Sequence, residues 1–71
     1  MPYTLSDHNL ERIRENAIRS VCRHLSNEAL ASLIADATRD WVQATVETDY
    51  AAAKRAKRIA DIASAYAAEY R

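Results

Sequence analysis

A chain of 71 residues holds one domain with a small core, which supplies only about 3–5 kcal/mol without staples or partners, so self-association is expected of it. It has no Gly and its single Pro is Pro2, which removes the residues that build tight turns and excludes folds made of strands and turns. Ten basic and ten acidic residues cancel, so no global field carries the molecule onto nucleic acid or an anionic membrane.

Ala, Arg, Glu and Leu, the residues that lose least on entering a helix, dominate the composition, and an all-α fold is expected. A lone Cys22 has no internal disulfide partner, and no cationic leader with an apolar stretch and cleavage site is evident, which together indicate a cytoplasmic protein. The longest apolar runs fall far short of the roughly 20 residues that span a bilayer.

The first predicted helix covers about residues 6–24. Leu10, Ile13, Ala17, Ile18, Val21, Cys22 and Leu25 recur at helical spacing, with Arg12, Glu15, Arg19 and Arg23 opposite. Thr4 or Ser6 is its expected N-cap, with Asp7 in the first turn. A break follows at His24–Asn27, where Ser26 caps a second helix over 27–46 and Glu28 sits in its first turn.

That second helix is apolar on two sides. Leu30, Leu33, Ile34, Ala37, Trp41 and Ala44 line one, and Ala31, Ala35, Val42 and Val46 line nearly the opposite one. The first side suits helices 1 and 3 of the same chain, with Trp41 in the core, and the second suits another copy or a partner protein.

A break at Glu47–Asp49, with Thr48 as N-cap, opens a third helix over 49–70. It carries Ile59, Ile62, Tyr66 and Tyr70 on one stripe, beside Ala52, Ala56, Ala60, Ala63 and Ala67. Small residues at that spacing allow close helix packing. The expected architecture is one compact three-helix bundle, or a helical hairpin plus a third helix, dimerising through helical faces.

Reactive groups do not converge. His8 and Glu11 share a helical face without further metal ligands, Cys22 falls on an apolar face where a thiol is a small hydrophobe, and Cys22 and His24 point apart. No glycine-rich phosphate loop exists. No enzyme, metal or cofactor is expected.

Charge is most concentrated at Lys54, Arg55, Lys57 and Arg58, a candidate contact for phosphate or an acidic surface. Asp61 neutralises part of it, four residues beyond Lys57. More telling are charges within apolar stripes: Arg14 with Leu10 and Val21, Asp40 with Leu33 and Ala37, Arg55 with Ile59 and Ile62. Either they snorkel and pair within the fold, or they serve an interface. The candidate interface is therefore Arg14, Asp40, Val42, Val46, Arg55, Tyr66 and Tyr70, with Tyr70 expected exposed.

These features fit a small helical protein that binds another protein stoichiometrically, as an inhibitor, regulator or adaptor does, and that forms a homodimer. In size and character it is similar to the small helical regulators that phages and mobile elements encode. The alternative is a nucleic-acid-binding regulator using the basic cluster, with Arg12, Arg19 and Arg23 as a secondary stripe. A subunit of a larger assembly shares the sequence signature of the first reading.

Overall fold

The computed structural model describes residues 7–71, with side chains from Asn9 onward; the expected caps Thr4 and Ser6 and the side chains of Asp7 and His8 lie outside the described residues. Three helices follow one another: α1 Asp7–Arg23, α2 Asn27–Val46 and α3 Tyr50–Tyr70. No strand occurs among the described residues.

The α1–α2 break falls where the sequence places it. The amides of His24 and Leu25 bond back to the carbonyls of Val21 and Cys22, tightening the last turn of α1. The Ser26 hydroxyl then accepts from the Ala29 amide, satisfying one of the free donors that open α2.

The α2–α3 break differs from expectation. Thr48 does not cap α3; Asp49 does, its carboxylate accepting from the Ala52 amide at 3.2 Å. Thr48 instead occupies the left-handed region, at φ 58°, and closes α2. Its amide bonds to the Thr45 carbonyl at 3.1 Å, and the Asp49 amide reaches the Ala44 carbonyl at 2.9 Å. This pair of bonds is a Schellman closure, which usually takes Gly at the left-handed position. In a chain without Gly, a β-branched residue carries that conformation, at a cost of about 1–2 kcal/mol.

The α2–α3 hairpin holds most of the buried surface. Leu30, Ala37 and Ala44 are buried on α2, with Ile34 and Trp41 half-buried between them, in alternating steps of four and three. Ala53, Ala56, Ala60 and Ala63 answer from α3 at the complementary spacing. A seam of this period keeps two helices in contact along their length, and alanine on one side lets the axes approach closely. Ala53 occupies the seam where Ala52 was expected; Ala52 is half-buried beside it.

Two residues depart further from the sequence reading. Trp41 is half-buried at the rim rather than in the core, with the Lys57 ammonium 5.5 Å from its ring centroid. Helix α1 packs on α3 and barely meets α2, so one flank of α2 is not shared between α1 and α3 as expected.

Helix α1 reaches α3 along Glu11, Glu15, Ile18, Cys22 and Leu25, the half of its apolar arc toward Cys22. Cys22 is fully buried and joins Leu30 and Ala63 in a core cluster flanked by Ile18, Leu25, Leu33, Ile34, Tyr66 and Ala67. The opposite half is left open: Ile13 is 53% exposed and Val21 54%.

Relief of the left-handed strain gives a direct check. Thr48→Gly should raise stability by about 1 kcal/mol, or roughly 4–8 °C in Tm, in thermal unfolding followed by circular dichroism. A lowered Tm would show that Thr48 contributes more through its side chain than its backbone costs.

Candidate binding groove

Because α1 and α2 converge only near the Cys22–Leu30 junction, a groove opens between them with α3 as its floor. On the α1 side it is a hollow lined by Arg14, Ala17, Ile18, Arg55, Arg58 and Ile59. On the α2 side the lining includes Leu33, Asp36, Ala37, Asp40, Arg55 and Ile59. Arg55 and Ile59 belong to both hollows and join them into one surface.

The three charges that the sequence places inside apolar stripes, Arg14, Asp40 and Arg55, are thus brought together. All three are exposed rather than half-buried, and none has an ion-pair partner within 4.0 Å among the described residues. The expectation that they pair with one another inside the fold is not met. Ala17, Ile18, Leu33, Ala37 and Ile59 give this surface an apolar bed, so the charges stand at its rim with their hydration intact.

The basic cluster of α3 divides. Arg58 turns toward α1, where its guanidinium, only 13% exposed, donates to Glu11 at 2.5 Å. Lys57 turns the other way, pairing with Asp61 at 2.9 Å beneath Trp41. Lys54 and Arg55 keep no ion-pair partner among the described residues, and with Arg14 and Arg58 they line a further hollow that includes Glu11.

The other expected interface residues lie elsewhere. Val42 and Val46 are exposed, 54% and 74%, on the side of α2 turned from α3. Tyr66 is half-buried against the core cluster, with Tyr70 4.8 Å away between ring centroids. Tyr70 is 63% exposed, as expected. Arg71 lies 5.9 Å from the Tyr66 ring and donates to the Leu25 carbonyl and the Asn27 side chain, holding the α1–α2 turn against α3.

Sequence reasoning missed two charged residues of the groove, Asp36 and Glu11. Asp36 was legible: it stands one turn before Asp40, on the same flank of α2. Glu11 was considered only beside His8, whose side chain is outside the described residues; its true partner is 47 positions away, where no local spacing signals it. Arg58 was read only as part of a patch. Among the described residues no group of three His, Cys, Asp or Glu side chains converges as a metal site would require. No helix of the described residues is long and apolar enough to cross a membrane.

Comparison with protein-family models, curated proteins and solved structures finds no match for this chain. The groove therefore rests on its own geometry.

The Arg58–Glu11 pair is a polar tie of the first half of α1 to α3. Glu11→Ala should cost about 1–2 kcal/mol and speed amide hydrogen exchange in the first turns of α1, leaving α2 and α3 protected. Unchanged exchange in α1 would show that the apolar contacts of Ile18 and Cys22 hold it unaided.

Proposed function

We propose that this chain is a non-enzymatic helical binding protein that acts stoichiometrically on another protein, as an inhibitor, regulator or adaptor, and that the groove over α3 is its working surface. The observation that carries the reading is the grouping of Arg14, Asp40 and Arg55, without ion-pair partners among the described residues, around an apolar bed. An apolar bed supplies affinity on desolvation, and rim charges supply register and selectivity. Self-association belongs to the same reading, since among the described residues the core has only two buried side chains larger than alanine, Cys22 and Leu30.

The alternative is a nucleic-acid-binding regulator. Lys54 and Arg55 beside Arg14 are what favour it. The division of the cluster weakens it, since Lys57 and Arg58 are already engaged with carboxylates. This alternative requires steep salt dependence and loss of duplex binding in the Lys54→Glu, Lys57→Glu variant.

A photo-crosslinking residue at Ala17, in the groove, should yield a defined adduct in cells expressing the protein, and Arg55→Glu in the same chain should abolish it. The same probe at Ser64, away from the groove, should yield none. Adducts only from probes at Val42 or Val46 would move the working surface to the outer side of α2 and overturn the groove assignment.

A further inference from the structure

We propose that the α1 flank of the groove takes an acidic, apolar segment of a partner protein. One large apolar side chain of that segment rests on Ala17, Ile18 and Ile59, and its carboxylates meet Arg14, Lys54 and Arg55. The inference rests on the groove being a protein interface, and it names the chemistry of what binds there.

Formal charge is zero over the whole chain, but it is not spread evenly. Two hollows follow one another between α1 and α3, and Arg14, Arg55 and Arg58 line both. One extends to Glu11 and Lys54, a turn earlier on each helix, and the other to Ala17, Ile18 and Ile59. Glu11 is engaged with Arg58, whose guanidinium is only 13% exposed, so that pair is neutral within the fold. Arg14, Lys54 and Arg55 remain. All three are exposed, and none has an ion-pair partner within 4.0 Å among the described residues. They leave a local positive charge for an occupant to answer.

The cations alone would suit any anion, but the bed beside them is selective. Ala17 is exposed, Ile18 and Ile59 are half-buried, and Val21, one turn beyond Ala17, is 54% exposed. A carboxylate held by guanidiniums at the edge of apolar surface loses water on one side, which strengthens the pair, while a neighbouring Leu, Phe or Trp covers the bed. A sugar–phosphate backbone covers none of it. Three free cations are also few beside the roughly 6–10 phosphate contacts of a protein that binds strongly by charge neutralisation. Asp40 adds polarity across the groove, since it lines the α2-side hollow, exposed and without an ion-pair partner among the described residues. A continuous polyanion crossing the groove meets that carboxylate, whereas a segment acidic along one edge does not.

The probe is a library of random peptides of about 12 residues, displayed on phage and selected on the purified wild-type chain. Enriched sequences should place Asp or Glu within a turn of Leu, Ile, Phe or Trp. Labelled synthetic copies are then titrated by fluorescence anisotropy. Arg55→Glu should raise Kd at least about tenfold and Lys54→Glu less, and affinity should fall as NaCl rises from about 50 to about 300 mM. Ala17→Glu, which sets a carboxylate on the bed, should also weaken binding at least about tenfold. Ser64→Glu, away from the groove, should stay within about twofold. All four positions are exposed, and circular dichroism checks that helicity is kept.

Enriched peptides without carboxylates, or no enrichment, overturn the acidic segment. If the Ala17 photo-adduct still forms and Arg55→Glu abolishes it, the groove survives as a protein interface of other chemistry; if the adduct fails too, both readings fall. Acidic peptides that bind the Ala17→Glu variant as tightly as the wild type place their carboxylates on cations outside the hollow, and the inference fails. A duplex of about 20 base pairs that displaces the peptides and binds more tightly gives the strip to a polyanion, which overturns the inference as well.

Discussion

The contact of Cys22, Leu30 and Ala63 is the point on which the rest of the structure turns. It is where all three helices share a core, and it sits near the α1–α2 connection. A three-residue connection forces α1 and α2 to start close, and the small Ala63 and Cys22 side chains let α3 come between them at that end. Further along, α2 stays bound to α3 by the alanine seam, whereas α1 has Glu15 and Glu11 in place of the next apolar contacts. An α1 that meets α3 through carboxylates in its first half cannot fold down over α2, and the groove is what remains.

Charge placement follows the same logic. The cations that serve the fold are neutralised where they stand: Arg58 by Glu11, Lys57 by Asp61, and Arg19 beside Glu15 at 3.8 Å. The two exposed pairs, Lys57–Asp61 and Arg19–Glu15, are worth little individually, and what they accomplish here is to fix where each long side chain lies. Arg14, Asp40 and Arg55, which have no such partner among the described residues, line the groove. Leaving them hydrated costs the monomer nothing, and the expense of desolvation falls only on an occupant that answers their signs. That asymmetry is the physical content of selectivity on a surface otherwise made of Ala, Leu and Ile.

The sequence was legible wherever a signal is local. Helix limits, the Ser26 cap, the Lys57–Asp61 pair and the burial of Cys22 each depend on residues within a turn or two of one another. It was misleading where two local solutions compete. Thr48 and Asp49 are both good caps, and only the backbone geometry after α2, which places Thr48 in the left-handed region, hands the role to Asp49. It was silent where choice is tertiary. The apolar arc of α1 is wider than the strip α3 covers, and the periodicity that made Ile13 and Val21 core candidates could not say which edge would be used. Trp41 lies at the seam's rim for a related reason: with Ala53 and Ala56 opposite, a seam this close has no space for an indole.

The order of elements along the chain has a consequence for synthesis. Helix α1 emerges first, yet its docking site is on α3, the last element, and 41 positions separate Cys22 from Ala63. At roughly 5–20 residues per second, synthesis of Ala63 trails that of Cys22 by on the order of 2–8 s. The α2–α3 hairpin, whose contacts are close in sequence, closes within microseconds to milliseconds once both arms are free. Until α3 is made, the apolar arc of α1, Cys22 included, lacks the surface that covers it in the folded chain.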